Sequence, residues 1–424
     1  MTSNALDSTP RQGPLAGRLV VAIEHSVAGP LCTRILHELG AEVIKIERPP
    51  SGDFSRRWDS NVRGEGAQFW WLNRGKKSVL LDLKSPEGRD ALGQLLARAD
   101  VFVQNLSPAS ARRLGVDKEG LERYPALVSC HISGYGADGP YAGRKAYDML
   151  IQAEAGVMSL TGTPEQPMRV GVSIADVATG IYSAVTVLGA LLGREKTGTG
   201  AALDVAMFDV AAEFLGPMLV SFLNSGVEYT RAPDQHHAIA PYGVFPCADE
   251  RVLLAVEHDD EWLRFCADVI ERPDLGADPA YSTNPQRVAA RDVLTPTITS
   301  ILGTLDRSVV IERLERAGIA YAALNDSAGV SAHPVTQFRG LVSDTSNESG
   351  EGVRHVVGMV ERLFGGAEGA RRRPPMLGED TREVLDFLAQ AADCAERVDT
   401  TPARVGQEPN HSSGAAPSRL HHER

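Results

Sequence analysis

The sequence predicts an α/β protein, with a large domain built on a parallel, doubly wound sheet and a smaller α+β domain. Over roughly the first 200 residues, short apolar stretches alternate with helical patterns, which is the order expected of a parallel sheet covered by helices. Beyond about residue 230, hairpin-like strands are followed by helices. A chain of 424 residues is also too long for one compact core, so two domains are expected.

The predicted strands of the large domain are short apolar runs. They lie at residues 19–23, 41–46, 78–83, 101–103, 127–130 and 202–205. Between them, Gly40 is placed as a helix C-cap, and Ser85 and Pro86 as the N-cap and first residue of a helix. Longer helices are predicted at about 147–160, 176–194 and 208–223. Ligands of such a sheet bind at the carboxyl ends of its strands.

The small domain is predicted at residues 225–325. Its hairpin strands are placed at 242–246 and 252–256, and its helices at 261–269, 293–302 and 308–316. Another short helix is predicted at 381–388. The segment 389–424 is rich in Ala, Ser, Pro, Arg and His and has little apolar surface to bury, so we expect it to be disordered.

Composition excludes several classes of function. Lys plus Arg number 43 and Asp plus Glu 55, a net charge of −12, which argues against a nucleic acid as the main partner. No run of eighteen apolar residues predicts a membrane span, and the polar start lacks the apolar region of a secretory signal. The five cysteines are scattered without a C-x-x-C pair, so we expect no disulfide framework, no metal site and a cytoplasmic location.

Four motifs follow one another in the first half of the chain. They are Ala28-Gly29-Pro30 with 39–47, Asn73-Arg74-Gly75-Lys76-Lys77-Ser78 with 81–84, Ile132-Ser133-Gly134-Tyr135-Gly136 with 139–148, and Ile174-Ala175-Asp176 with 197–207. In order and spacing these stretches resemble the class III (CaiB/BaiF) CoA-transferases over about residues 14–215. Within that family the likeness is to formyl-CoA transferases and to succinyl-CoA-dependent dicarboxylate CoA-transferases.

The resemblance implies an architecture and an assembly. It implies a Rossmann-like large domain built from both ends of the chain, 14–224 and 326–388, with the small domain inserted between them. It also implies a homodimer of interlocked rings whose active site lies between the subunits. The expected partners are an acyl-CoA and a small carboxylic acid. Coenzyme A enters as a co-substrate, and no tightly bound cofactor is expected.

Asp176 matches the position of the family's nucleophile. An aspartate with an ordinary pKa near 3.9 is ionised at neutral pH and needs no general base to attack a thioester. The attack yields a mixed anhydride and releases CoA as a thiolate, and backbone amides near the small residues of the helix are candidates for holding the oxyanion. From the pattern alone, Asp176 has a second interpretation as an ordinary helix N-cap.

Twelve further residues match the family's CoA-binding positions. They are Val27, Ala28, Arg48, Leu81, Leu83, Lys84, Asn105, Leu106, Arg113, Lys145, Tyr147 and Asp148. Arg48 and Arg113 are the predicted phosphate contacts, although basic side chains taken singly are more often solvated surface charges. The cluster Arg74, Lys76 and Lys77 stays open between phosphate contact and a soluble loop.

Two departures from the formyl-CoA transferase pattern bear on the substrate. Val27 stands where those enzymes have glutamine, and residues 234–238 contain no glycine-rich run. Both features handle oxalate or formyl groups, so their absence argues against oxalate. The stretches 56–58, 69–71 and 154–156 resemble members that act on short dicarboxylates with succinyl-CoA as donor.

Two alternatives remain beside CoA transfer, with a racemase as the first of them, and a third class is disfavoured. The family's α-methylacyl-CoA racemases use a histidine where this chain has Tyr147, and a phenol is a poor proton shuttle near neutrality. The histidines at 25, 131, 236, 237 and 258 are expected to be structural or on the surface. A non-catalytic CoA-binding protein is the second alternative. A dinucleotide-dependent dehydrogenase is disfavoured, since no G-x-G-x-x-G follows the first strand.

Overall fold

The computed structural model describes residues 12–346, 352–364 and 373–399. Its larger part is built on a six-stranded sheet, which confirms the predicted fold class. The strands are β1 (Leu19–Ile23), β2 (Glu42–Glu47), β3 (Lys77–Leu80), β4 (Val101–Gln104), β5 (Val128–Ser133) and β6 (Ala202–Ala206). Their order is β3-β2-β1-β4-β5-β6, and every neighbouring pair is parallel. The strand order reverses between β1 and β4, which makes that crevice the expected ligand site.

Helices connect these strands and cover both faces of the sheet. They are α1 (Ala28–Glu38), α2 (Ala67–Leu72), α3 (Pro86–Leu96), α4 (Pro108–Leu114), α5 (Asp148–Glu154), α6 (Ile174–Thr197), α7 (Met207–Glu213) and α8 (Gly216–Ser225). The single helix predicted at 208–223 is in fact two helices, bent by 70°. Pro217 stands in the first turn of α8, and a proline ring cannot continue a preceding helix.

A second hydrophobic core lies further along the chain. It is formed by the antiparallel strands β7 (Tyr242–Pro246), β8 (Arg251–Ala255) and β9 (Ala320–Ala322) with the helices α9 (Asp259–Arg264), α10 (Pro273–Ala277), α11 (Asn284–Ala289), α12 (Arg291–Leu302) and α13 (Arg307–Ala317). The predicted hairpin is confirmed as β7–β8. The helix predicted at 261–269 is α-helical only to Arg264 and continues as a π-helical turn.

The last described elements lead back to the large sheet. They are α14 (Ser327–Ala332), α15 (Pro334–Phe338), β10 (Val342–Ser346), β11 (Gly352–Val356), α16 (Met359–Phe364) and α17 (Thr381–Asp399). Asp380 and Thr381 accept hydrogen bonds from the backbone of β3. The helix α17 continues to Asp399, so the prediction of disorder from residue 389 is wrong for 389–399, and 400–424 lies outside the described residues. The domain boundaries stay predictions.

The large sheet is buried on both faces, as a parallel sheet requires. One cluster joins alternate residues of β1, β4 and β5 to Leu36 of α1 and Val187 of α6. The other joins the opposite residues to Leu92 of α3 and Val384 of α17. The early strand β1 and the late helix α17 therefore share one core.

The helix α6 is unusually long and apolar. Among the described residues it is the one unbroken helix with the length and composition to cross a membrane, and the bent pair α7–α8 matches only if taken as one span. In the fold α6 packs along α1 and β5, and its small residues Ala178, Gly180 and Ala184 are buried there. This packing accounts for its apolar composition.

Candidate active site

A cavity of about 350 Å³ opens at the reversal of strand order between β1 and β4. His25 and Ser26 line it from the end of β1, and Asn105 and Leu106 line it from the end of β4. Asp176 reaches the same cavity from the start of α6. The nucleophile suggested by the sequence is therefore brought to the crevice where a doubly wound sheet binds its ligands.

Asp176 lies inside the first turn of α6 and does not cap it. The helix starts at Ile174, its N-cap position is Ser173, and no side chain of the N-cap residue bonds to the backbone. The capping function falls to Asp148, whose Oδ1 accepts the N–H groups of Ala175 at 2.8 Å and Asp176 at 3.2 Å. The interpretation of Asp176 as an ordinary N-cap is wrong, because a carboxylate distant in sequence occupies that place.

The charge state of Asp176 also differs from the expectation. Burial, assisted by the nearby carboxylate of Asp148, raises the pKa of Asp176 to about 7. Both causes disfavour the ionised form. Near neutral pH a substantial part of the Asp176 side chains is therefore protonated in the free protein, and the carboxylate form grows as pH rises.

The turn between β1 and α1 is held rigidly beside the cavity. Ser26 has a φ of 68°, which is uncommon for a residue with a side chain. Asn105 Oδ1 accepts the backbone N–H of His25 at 3.0 Å, and Asn105 Nδ2 donates to the backbone carbonyl of His25 at 2.8 Å. Asp53 Oδ1 accepts the N–H of Ser26 at 3.3 Å, and Lys45 Nζ donates to the carbonyl of Glu24 at 3.0 Å. Side chains from three other segments thus fix this turn.

A buried ionic network lies behind that turn. Lys45 pairs with Asp53 at 2.9 Å, Lys76 pairs with Glu24 at 2.8 Å, and none of these side chains is exposed. Burial lowers the pKa of Lys76 to about 8. Burial alone would raise the pKa of Glu24, but Lys76 and Lys45 bring it below its ordinary value. These charges are structural, because the side chains are closed off from solvent and are paired with one another.

The basic cluster left open by the sequence is resolved by these contacts. Lys76 is buried in the network just described, Lys77 pairs with Glu383 at 2.6 Å, and Arg74 pairs with Glu361 at 3.0 Å. These three side chains are therefore neither phosphate contacts nor residues of a solvated loop. They attach the segment before β3 to the core and to the C-terminal elements.

The helices α1 and α6 meet at a glycine. A Cβ atom placed on Gly180 would lie 2.8 Å from the carbonyl oxygen of Ala28 and 2.8 Å from Cβ of Leu31. Only a residue without a side chain fits there. This close approach brings Ala28 and Asp176, which both line the cavity, onto adjoining walls.

The structure divides the predicted site residues into two groups. Those that line the cavity are Ala28, Asn105, Leu106, Lys145, Tyr147 and Asp176. Of the others, Asp148 is buried beneath the start of α6, and Val27 is buried against Leu31 and Leu72.

The remaining predicted positions lie outside the cavity. Arg48, Lys84 and Arg113 are exposed, the first two of them just beyond the carboxyl ends of β2 and β3. Leu81 and Leu83 belong to the apolar cluster under α3. Their contact with CoA stays a prediction.

Several cavity residues were not predicted from the sequence. His25 and Ser26 follow β1, Ser133 ends β5 and Tyr135 comes just after it, and Arg144 precedes α5. The position of the first two at the carboxyl end of the first strand was the signal that could have found them. Burial lowers the pKa of His25, so its imidazole is mainly neutral at pH 7. His25 is thus a partly buried cavity residue and not a surface histidine, while its expected structural role stays a prediction.

Strand order, cavity and buried carboxylate together define an α/β enzyme with its ligand site at the reversal point of a parallel sheet. The chain belongs to the CoA-transferase family III, whose family model matches residues 15–381. The likeness inferred from the motifs is confirmed by that match.

Known proteins of this family resemble the chain over most of its length. It is 34% identical to the succinate–glutarate CoA-transferase of Agrobacterium fabrum, across 90% of this chain and 97% of the relative. It is also 34% identical to the acetyl-CoA:oxalate CoA-transferase of Acetobacter aceti, across 79% and 87%. A crystal structure of a CaiB/BaiF family protein from Brucella suis superposes with a TM-score of 0.78 at 32% identity, covering 89% of this chain and 100% of the other.

Proposed function

We propose that the protein transfers coenzyme A from an acyl-CoA to a free carboxylic acid, with Asp176 as the nucleophile. The observation that carries this proposal is the carboxylate of Asp176 in the cavity at the reversal of strand order. The two relatives are named for glutarate and for oxalate, which supports a dicarboxylic acid as acceptor. Succinyl-CoA is the donor we would test first.

The chemistry proceeds through acyl groups carried by Asp176. Its carboxylate attacks the thioester carbonyl, the C–S bond breaks, and CoA leaves as a thiolate from a mixed anhydride. The thiolate then attacks the aspartyl carbonyl, which releases the donor acid and leaves an aspartyl-CoA thioester. The acceptor carboxylate attacks that thioester, and the freed CoA thiolate takes the acceptor's acyl group from the new anhydride. No net proton is gained or lost.

The start of α1 is the candidate oxyanion site for these steps. The first backbone N–H groups of an α-helix have no partner within the helix, and no side chain of the N-cap residue bonds to the backbone of α1. Ala28 begins this helix and lines the cavity. Amides at that position suit the charge that develops on a thioester oxygen.

For the CoA body we propose a path along the carboxyl edge of the sheet. Arg48 after β2 and Arg113 in α4 are exposed and suit the phosphates. Lys145 and Tyr147 line the cavity itself. We further propose that the protein acts in the cytoplasm as an interlocked homodimer. Exposed apolar side chains on α6 and α8, among them Val185, Leu192 and Leu223, support the dimer.

Trapping of the acyl-enzyme tests the proposal. After incubation with succinyl-CoA and hydroxylamine, mass spectrometry should find the modification on Asp176, and an Asp176→Ala variant should exchange no acyl groups. Asp209→Ala is the matched control, since Asp209 is an exposed acid in the first turn of the neighbouring α7. An Asp176→Ala variant that transfers CoA like the wild type would refute the mechanism. Binding of CoA without any exchange would instead favour the non-catalytic alternative.

One observation favours a second candidate function. His25 lines the cavity together with Asp176, so a base and an acid are available for moving a proton at the α-carbon of an acyl-CoA. Racemisation predicts deuterium uptake into a 2-methylacyl-CoA in D₂O without any acceptor acid. A His25→Gln variant should stop that exchange. Absence of deuterium in the wild-type reaction would remove this candidate.

A further inference from the structure

Arg144 places a cation on the wall of the cavity that contains Asp176. It lies in the loop before α5 and is one of the lining residues. The Cζ atom of its guanidinium lies 4.3 Å from the ring centroid of Tyr141 and 5.5 Å from that of Tyr135. Tyr135 packs on the apolar cluster that includes Ala175, the neighbour of Asp176. The aromatic rings therefore connect the cation to the start of α6.

The guanidinium of Arg144 keeps donors for a ligand. An arginine has five N–H donors in a planar fork. In the part of the chain that the structure describes, the guanidinium of Arg144 has one hydrogen-bond partner, Glu154, at 2.8 Å. Both side chains are well exposed, at 47% and 36%, and an exposed pair of this kind holds its partner weakly. A carboxylate on a substrate can bind beside Glu154 or replace it.

Other arginines near the site are already engaged. Arg56 lies in a stretch that resembles the dicarboxylate-specific members, yet it is 5% exposed and pairs with Glu47 and Glu65. It cannot receive a substrate without breaking those pairs. The strongly basic side chains that line the cavity are Arg144 and Lys145, while Asp176 is its one lining carboxylate among the described residues. Once Asp176 is acylated, the cavity carries two cations and favours an anion.

We propose that Arg144 binds the distal carboxylate of a dicarboxylic substrate while the proximal carboxyl reacts at Asp176. This inference rests on the proposed function and names the residue that selects the acceptor at the same site. The planar guanidinium matches a carboxylate in a bidentate pair. A monocarboxylate of the same length has no distal carboxylate to pair with the guanidinium of Arg144, so the enzyme discriminates against the monocarboxylate.

The test compares acids of equal length that differ only in the distal group. With succinyl-CoA as donor, kcat/KM is measured for glutarate and for valerate in the wild type, Arg144→Gln and Arg144→Lys. Replacement by Gln should lower kcat/KM for glutarate by about 10- to 100-fold, the value of a hydrogen bond to a charged group. The rate with valerate should stay within about twofold, and Lys should restore part of the loss. Affinity for free CoA, measured by calorimetry, should be unchanged.

Arg123→Gln is the matched control, because Arg123 is an exposed arginine stacked on Tyr124 at 5.1 Å and lies outside the cavity. It should leave both rates unchanged. Equal losses with glutarate and valerate in Arg144→Gln would overturn the inference. So would a wild type that uses both acids equally well, although CoA transfer itself would then stand. If no acid exchanges at all with any acyl-CoA, the proposed function fails, and the inference fails with it.

Discussion

Asp148 Oδ1 accepts the backbone N–H of Asp176 at 3.2 Å, and that of Ala175 at 2.8 Å. Its Oδ2 accepts a 2.6 Å hydrogen bond from Gln152, which keeps the carboxylate in place. Asp148 thus caps the helix that carries the proposed nucleophile and places a negative charge near it. These two effects act in opposite directions on catalysis, because the cap positions Asp176 while the charge raises its pKa.

Substitution of Asp148 can separate those two effects. Asp148→Asn keeps an acceptor oxygen for the two N–H groups but removes the charge, so the pKa of Asp176 should fall. The midpoint of kcat/KM against pH should then move below that of the wild type, which we expect near 7. Asp148→Ala also removes the cap, and a misplaced nucleophile should lower kcat/KM by about 100-fold. An unchanged midpoint in Asp148→Asn would show that its charge does not influence Asp176.

The raised pKa of Asp176 predicts a pH-dependent cost to stability. The pKa of Asp176 is about 7 in the folded protein and near 3.8 in the unfolded chain. The stability contributed by the protonated side chain is therefore complete below pH 3.8 and is lost as pH rises through 7. Between those values wild type should lose about 1.4 kcal/mol per pH unit relative to Asp176→Asn. Thermal unfolding from pH 4 to pH 8 measures this difference.

The matched control for that experiment is Asp209→Asn. Asp209 is exposed in the first turn of α7, so its substitution should change stability by a similar small amount at every pH. A difference between wild type and Asp176→Asn that does not grow with pH would mean that Asp176 titrates normally.

The contact of α1 with α6 predicts contrasting effects at two glycines of one helix. Gly180→Ala places a methyl group 2.8 Å from the carbonyl oxygen of Ala28, so it should cost about 1–3 kcal/mol and lower CoA transfer. Gly189→Ala meets no atom within 4 Å and should gain about 0.5–1 kcal/mol from helix propensity. Urea unfolding measures both. Equal effects would show that α1 can move away from α6 at little cost.

The buried ionic network predicts a large loss of stability when one partner is removed. Lys76→Met leaves the buried Glu24 with the hydroxyl of Thr33, which donates at 2.7 Å, and with the more distant cation of Lys45, 3.6 Å away. Breaking such a pair should lower the free energy of unfolding by about 3–5 kcal/mol. Adding Glu24→Gln should recover part of the loss, because the uncompensated charge is then gone.

The control for this network is Lys196→Met, at an exposed lysine near the end of α6. Urea unfolding should show a change within about 0.5 kcal/mol there. If Lys76→Met is as mild as Lys196→Met, water reaches Glu24 and the network is not closed.

Local patterns were enough to predict the parallel sheet and most of its strands. Apolar runs of three to six residues, separated by caps such as Ser85-Pro86, depend on near neighbours in the chain. The ordered motifs around Ala28, Tyr135 and Asp176 were enough to predict the family, which the match over residues 15–381 confirms. The hairpin β7–β8 was predicted from the same kind of local signal.

Only the tertiary structure decided how the candidate site is charged and held. The pKa of Asp176 depends on burial and on Asp148, 28 residues away, and Lys76 is structural because Glu24 reaches it across 52 residues. Likewise, Arg56 is engaged in buried ion pairs, whereas Arg144 makes an exposed pair with Glu154 and lines the cavity. A sequence lists the charged groups, but dielectric environment and long-range pairing determine their chemistry, and both come from folding. The sequence determined that Asp176 stands at the head of a helix in a CoA-transferase, and the fold decided when that carboxylate is ionised and what surrounds it.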